Sequence, residues 1–369
     1  MRPARIDQVL HILAFNDAIG THVLNVRDVL RSAGYESDIY SGQVHPEVKH
    51  ESRRIEEMPS GKRRDTWLMF HHSIGSTVTE AVMRRNEPLI VDYHNITPAS
   101  LVDRWAPWVR EELELGAEQL GRLSQKSFYG IAHSVFSEKE LHESGCNRTS
   151  VVPPLFETSH AHAAPDPTAM AALSAEKSKG GSDWLFVGRV SPHKAQHDLL
   201  KALACARRFY DSDSRLHLVG TSLGVDYPRA LERFATRLGI GDSVTMTGVV
   251  SSSVLDAYYR SADVFVSTSD HEGFCVPIVE AMARGLPVVA FGAAAVGETV
   301  GGAGVVLPDK APMTVAAAVD RVVRDGDLRG RLANAGRARA AELSMPASAA
   351  RLVEAIDEAA VVACEPGIH

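Results

Sequence analysis

The chain has 369 residues, 45% hydrophobic and 23% charged, the make-up of a folded globular protein with room for two domains. A formal net charge of −7 excludes a protein that relies on a basic surface to hold duplex DNA, so no nucleic-acid partner is expected. The four cysteines, Cys146, Cys205, Cys275 and Cys364, stand far apart with no CxxC pair, which is neither a zinc spacing nor a disulfide framework and suits a reducing compartment. No apolar run approaches the ~18 residues of a membrane span, and Met1–Arg5 leads into a strand pattern without a signal-peptide core. The expectation is a cytoplasmic protein without stable membrane insertion.

In chain order, short apolar runs alternate with helical patterns. Val9–Phe15 reads as a buried strand, and Thr21–Ala33 as a helix with Val23, Leu24, Val26 and Leu30 on one face. Trp67–His72, Leu89–His94, Ile131–Ser134 and Ser150–Val152 read as further strands, with a helix near Ser137–Glu143. Glu157–Asp183 breaks the alternation with Ala, Ser, Pro and Gly, and reads as a linker holding a short helix near Thr168–Lys177. Strands then recur at Trp184–Gly188, Leu216–Gly220, Val244–Met246, Val264–Ser267 and Val288–Phe291, with helices between them. Pro346–Val362 is helical and amphipathic. Such alternation predicts parallel sheets covered by helices. The expected division is a first Rossmann-like domain over 1–156, a linker over 157–183 and a second over 184–346, with the helix at about 347–363 packing back on the first. Two such sheets in succession predict a ligand cleft between them, at the carboxyl ends of the strands.

The densest chemistry lies in Ser269–Pro287. Pro277 suits the start of a helix, Gly285 its end, and Pro287 forbids continuation. Gly273, Phe274, Cys275 and Val276 then offer backbone N–H groups at a helix N-terminus, a place for phosphate or sugar oxygens. Glu272 and Glu280 are carboxylates able to accept from two vicinal hydroxyls each, although acids here also complement a helix dipole. Upstream, Gly188-Arg189 followed by Lys194 sets two cations over the end of a strand, suited to a diphosphate if they are more than solvated surface charges. The sixteen histidines invite a metal reading, but His71-His72 has no acid at i+4 and no H-E-x-x-H occurs, so no metal site is expected. Lys49–Asp65 interleaves basic and acidic residues and reads as a solvated helix-loop rather than a membrane-docking face.

These residues resemble family 4 glycosyltransferases. Glu272 and Glu280, with seven residues between them, match the E-x7-E motif, and the surrounding EGF-x-x-P-x-x-EAMA-x-G-x-PVVA also agrees. Gly188-Arg189 with Lys194 resembles the family's diphosphate-binding G-R-x(4)-K. Tyr93–Pro98 resembles the strand end that carries the family's active-site histidine, and Ala132-His133-Ser134 through Leu141 the strand–Ser–helix that follows. Ile19 before Gly20, Ala195 after Lys194 and Cys275 stand where the family often has glycine.

The resemblance implies a GT-B fold: two Rossmann-like domains facing each other across a cleft. It implies a retaining transfer of sugar from a nucleotide-diphosphate sugar to a hydroxyl acceptor, a small molecule or an oligosaccharide, with no metal and no cofactor beyond the donor substrate. By the same resemblance Arg189 and Lys194 hold the diphosphate and Glu280 the ribose. Glu272 with Gly273–Val276 holds the donor sugar, Gly248 and Val249 meet the base, and His94 serves the reacting centre. The loop containing Gly20, Thr21 and His22 lies beside the diphosphate or acceptor. A GT-B sugar phosphorylase, a nucleotide-sugar epimerase and a catalytically silent nucleotide-sugar binder are the alternatives.

Overall fold

In the computed structural model, residues 2–14, 17–59, 65–157 and 164–364 are described. They form two compact units: Met1–Ala99 with Trp108–Phe156 and Ser344–His369, and Ser100–Pro107 with Glu157–Leu343.

The first unit is a parallel sheet of β1 (Arg5–Leu13), β2 (Ile39–Val44), β3 (Arg53–Arg54), β4 (Thr66–His72), β5 (Leu89–Tyr93), β6 (Tyr129–Ala132) and β7 (Thr149–Val151). Its helices here are α1 (Ala18–Ser32), α2 (Thr77–Met83), α3 (Arg110–Lys126) and α4 (Val135–Glu143). The strand order β3-β2-β1-β4-β5-β6-β7 reverses direction between β1 and β4, the switch point where such sheets bind ligands. Trp67, Met69, Ile90 and Ile131 point one way into a core with Val26 and Leu30 of α1, while Leu68, Phe70, Leu89 and Val91 face the other. That two-sided burial is why these strands read as continuous apolar runs.

The second unit holds α5 (Pro167–Lys177), β8 (Asp183–Val187), α6 (Gln196–Phe209), β9 (Arg215–Val219), α7 (Asp226–Arg237), β10 (Val244–Gly248), α8 (Ser252–Ser261), β11 (Val264–Ser267), α9 (Val276–Ala283), β12 (Val288–Phe291), α10 (Val296–Val300), β13 (Val305–Leu307), α11 (Pro312–Arg324) and α12 (Gly326–Glu342). Its parallel sheet runs β10-β9-β8-β11-β12-β13, with the switch between β8 and β11. Trp184, Phe186, Leu199, Leu203, Leu218 and Val266 anchor its core. The last helix, α13 (Met345–Val362), belongs to the first unit. Its Leu352, Ile356 and Ala359 join that core, and Glu358 accepts from Tyr129 Oη at 2.6 Å and Ser150 Oγ at 2.7 Å.

Several expectations need correction. The stretch from Ala18 to His22 is no loop but the first turn of α1, whose Asp17 cap accepts from the Ile19 and Gly20 N–H groups. Asp17 thus satisfies two of the N–H groups at the start of that helix. The stretch expected to be a linker does hold the expected short helix, as α5, and that helix packs on α8, with Lys177 Nζ reaching Asp263 at 2.8 Å. One strand more than expected is present: β13 pairs with β12 beyond Val288–Phe291, the last strand read from the sequence. In the Lys49–Asp65 stretch the described residues hold the end of a 3₁₀ turn (Pro46–Glu51), the two-residue β3 and a second 3₁₀ turn (Ile55–Glu57); residues 60–64, Lys62, Arg63 and Arg64 among them, lie outside the described residues, as does Phe15.

Candidate functional site

In the second unit the carboxyl ends of β8 and β11 bring the E-x7-E block and the G-R-x(4)-K block together. Lys194 Nζ lies 2.6 Å from Glu272 Oε2, and the two side chains are 18% and 8% exposed. Arg189 is exposed, and its side chain makes no hydrogen bond or ion pair among the described residues. Glu272 leads into α9, which begins at Val276 with Pro277 in its first turn, one residue earlier than expected. No side chain caps α9 and its first turn carries no acid, so its N-terminal dipole is not offset by a side chain of the first turn. Glu280, in the second turn, accepts from Tyr259 Oη at 2.7 Å. Tyr259 is fully buried, and burial with the Glu280 charge holds its phenol protonated, so it fixes that carboxylate as a donor.

Two departures from glycine now have a backbone cost. Ala195, between Lys194 and α6, has φ +49°, and Cys275, at the cap of α9, has φ +75°. An L-residue in the left-handed region costs about 1–2 kcal/mol that glycine would not incur. Burial, then the neighbouring Glu272 carboxylate, pushes the Cys275 thiol well up, so it is no nucleophile at neutral pH.

Gly188, Gly220 and Gly248 end three adjacent strands. A Cβ on Gly220 would lie 2.3 Å from the Gly188 carbonyl oxygen, so that floor cannot carry a side chain there. Gly248 is exposed, but its carbonyl already accepts from the Gly220 N–H at 3.1 Å and from Thr247 Oγ1 at 2.9 Å. Its neighbour Val249 is 71% exposed, an apolar face beside the strand ends.

His193 sits beside Lys194. Burial, aided by the Lys194, His271 and Arg189 charges, pushes its pKa down to about 2. The unfolded chain protonates this histidine near pH 6.5 and the folded one does not. Stability should therefore fall with pH below about 6.5, by up to about 1.4 kcal/mol per pH unit from this one group. Urea midpoints at pH 7.5, 6 and 5 should fall less steeply in His193→Gln, by about one proton's worth of slope.

The first unit holds a second constellation at its own switch point. Asp92 on β5 is paired in register with His71 on β4. Around its carboxylate stand His71 Nδ1 at 2.9 Å, His22 Nε2 at 3.0 Å, His133 Nε2 at 3.2 Å and His94 Nε2 at 3.7 Å. Burial pushes Asp92 up, but His133 and His94 outweigh it and hold the carboxyl well below the usual carboxylate range. Burial opposes charge on His133 as well, yet Asp92 pulls its pKa above the ordinary histidine value. Burial holds His94 well below that value and His22 at about 4.

Expected at the reacting centre, His94 has a side chain only 5% exposed. Its two ring nitrogens lie 3.1 Å from His71 Nδ1 and 3.2 Å from His133 Nε2. His22 is buried within this cluster, whereas Thr21 is exposed on α1. Gln8 and Asp92 were not signalled by any motif. The acid beside His71 comes from the neighbouring strand, 21 residues on, where a search at i+4 does not look. Two Asp-x-Asp spacings, Asp211/Asp213 and Asp325/Asp327, also occur. Asp211 accepts from Ser182 N–H and Ser214 Oγ in a turn, and Asp325 caps α12, so both pairs are structural.

Comparison with known proteins matches a stretch of the second unit by sequence and nearly the whole chain by fold. Residues 174–339 match the family model described as Glycosyl transferases group 1. The D-inositol 3-phosphate glycosyltransferase of Geodermatophilus obscurus is 37% identical over 153 residues, 39% of this chain and 34% of that protein. The GDP-mannose-dependent alpha-(1-6)-phosphatidylinositol monomannoside mannosyltransferase of Mycobacterium tuberculosis (strain H37Rv) is 33% identical over 183 residues, 47% of this chain and 46% of that protein. Each match thus spans less than half of the relative. Sucrose-phosphate synthase of Thermosynechococcus elongatus superposes with a TM-score of 0.77 at 19% identity, over 97% of this chain and 99% of that one. HepE of Anabaena, solved with UDP and glucose, gives 0.74 at 18% identity over 95% and 99%. The fold is therefore the two-sheet α/β architecture of these GT-B structures.

Proposed function

We propose that the chain is a glycosyltransferase that moves a sugar from a nucleotide-diphosphate donor to a hydroxyl acceptor with retention at the anomeric carbon. The observation that carries this reading is the grouping of Lys194, Glu272, the uncapped start of α9 and the exposed Arg189 at one switch point. It lies within the stretch that matches the family model. The donor's diphosphate takes the place of a carboxylate as partner for Lys194, and Arg189 adds a planar fork to it. Freed of Lys194, Glu272 accepts from the sugar hydroxyls, with the N–H groups at the start of α9 beside it. As the anomeric bond breaks, negative charge grows on the leaving phosphate, and the fixed cations and helix dipole favour that state. The leaving phosphate oxygen takes the acceptor's proton, so no protein base is needed. His94, with both nitrogens engaged, serves by holding position and not as a base. The acceptor belongs to the first unit in this reading, and is a small molecule or an oligosaccharide.

Because two side-chain cations neutralise the diphosphate, turnover should not respond to added Mg²⁺ or Mn²⁺. A transfer assay across a panel of nucleotide sugars, run with and without these ions, tests both points. Stimulation of more than about tenfold by either ion would return the diphosphate to a metal and reject this role for Arg189 and Lys194.

Glu280 is proposed to hold the ribose diol. Glu280→Ala should weaken the free nucleoside diphosphate at least about tenfold, since each hydrogen bond to a charged group contributes about 1.5–3 kcal/mol. Calorimetry on the wild type and the variant, with thermal melts to confirm the fold, checks this. Equal affinity would remove Glu280 from the ribose.

A further inference from the structure

We infer that the second unit binds a phosphate dianion, free or as the head of a small ester, in an arginine-lined cavity at the amino ends of β11 and β12. Lys194 and Glu272 stand at the opposite end of that sheet, so the cavity is separate from the residues proposed for the donor. Its volume of about 680 Å³ falls within the range of small-molecule sites, about 300–1,000 Å³. Arg260 in the last turn of α8, Arg284 just past α9 and Arg329 in the first turn of α12 line it.

Charge is out of balance there. Asp256 of α8 is fully buried, and its two oxygens take one guanidinium each: Oδ2 accepts from Arg260 Nε, and Oδ1 from Arg284 Nε at 2.7 Å. Arg329 is exposed, and its side chain makes no hydrogen bond or ion pair among the described residues. Three guanidiniums against one carboxylate leave two positive charges in excess. The acid in the lining, Asp263, does not reduce that excess, since Lys177 Nζ lies 2.8 Å from it. At the rim Gly285 has φ +71°, and a Cβ on it would lie 1.9 Å from Arg337 Nη1. The missing side chain thus makes room for a further cation, which donates to the neutral Asn334 Oδ1 at 2.6 Å.

Arg284 is the anchor. Its side chain is only 6% exposed. Nε is held by Asp256, Nη1 donates to the Glu280 carbonyl at 3.0 Å, and the guanidinium lies 4.6 Å from the centre of the Tyr259 ring. Its Nη2 has no hydrogen-bond partner among the described residues. A donor already fixed on a buried side chain loses little freedom when a ligand arrives. Its planar fork suits two oxygens of one phosphate. The wall beside Arg329 leaves room for the rest of an ester: a Cβ on Gly326 or Gly330 would meet nothing within 4 Å, so both open onto free space. A dianion matches the two excess charges, whereas a single carboxylate would leave one unmatched.

The competing reading is that Arg260 and Arg284 serve only to neutralise Asp256, with Arg329 a solvated surface cation. The two are distinguished by titration. The full-length protein carrying isotope-labelled arginine is titrated with inorganic phosphate, at an ionic strength held constant with chloride, and its guanidinium Nε–H signals are read by NMR. Arg284→Lys and Arg329→Gln assign the two signals. The expected result is that both move along one saturating curve, while chloride alone moves neither. In Arg329→Gln the curve read at Arg284 should weaken about fivefold or more, because a charge-assisted hydrogen bond is lost. In Arg189→Gln, a change at the other end of the sheet, it should stay within about twofold. An unsaturated drift, or an Arg284 curve that Arg329→Gln leaves unchanged, overturns the inference in favour of solvated cations. Loss of the curve in Arg189→Gln would place the phosphate at the donor residues and overturn it too. Should Arg284→Lys fail to fold, the Arg329 signal decides alone: a saturating shift supports the site and none rejects it. Glycerol phosphate in place of phosphate separates the sources. Tighter binding assigns the occupant as an ester, and equal or weaker binding assigns free phosphate.

Discussion

Asp92→Asn should lower the melting temperature of the first unit by about 10 °C or more at pH 7, the largest effect expected of any single change in that sheet. Its carboxylate is 1% exposed and lies within 3.7 Å of nitrogens from four histidines. Breaking a buried charge pair by removing one partner costs about 3–5 kcal/mol, and each kcal/mol moves the midpoint about 2–4 °C in a unit of this size. Asparagine keeps the shape, so the loss is electrostatic and not a cavity. It also brings an NH₂ group among rings arranged around an acceptor. Calorimetry that resolves two transitions should show the first unit's moving and the second's unchanged. A shift under about 2 °C would mean that the histidines need no counter-charge and that Asp92 is neutral in the folded protein.

Asp92 also marks where sequence reading stopped. The strand that carries it was plain from its apolar run, and so was the strand with His71. What was hidden was their register, which sets those two residues side by side. Helix-based spacing rules see partners three or four residues apart, whereas a parallel sheet pairs residues separated by a whole crossover. The second unit was easier because its chemistry is local. Glu272, the start of α9 and Glu280 lie in one strand–loop–helix passage, bounded by Pro277 and Gly285 as turn chemistry requires. The helix α3 gave no such warning. It is acid-rich with Gly116 in its middle, and that glycine is there for contact: a Cβ would sit 2.6 Å from the Gly75 nitrogen. Likewise β13 is only three residues long, too short for alternation to register.

Lys194→Met should abolish most activity and also destabilise the second unit, and the two losses can be separated. Lys194 is the partner of a carboxylate that is 8% exposed, at 2.6 Å. Without it Glu272 is left as an unpaired, mostly buried charge. Because the lysine itself is partly exposed, water screens the pair, and the cost is about 2–3 kcal/mol, or about 5–10 °C in midpoint. Removing a fixed positive group from the leaving phosphate should lower kcat about 10²–10³-fold. Glu272→Gln on the Lys194→Met background removes the stranded charge, so the midpoint should recover most of its loss. Activity should not recover with it, because the phosphate still lacks its cation and the sugar now lacks a carboxylate. Melting curves and kcat on the same three preparations decide the matter. If the double variant regains activity as it regains stability, Lys194 is a structural partner of Glu272 alone. The diphosphate would then rest on Arg189 and the N-terminus of α9. If the midpoint does not recover, Glu272 is not the group that Lys194 neutralises in the folded protein. The ion pair would then be no guide to how the site receives a charged donor.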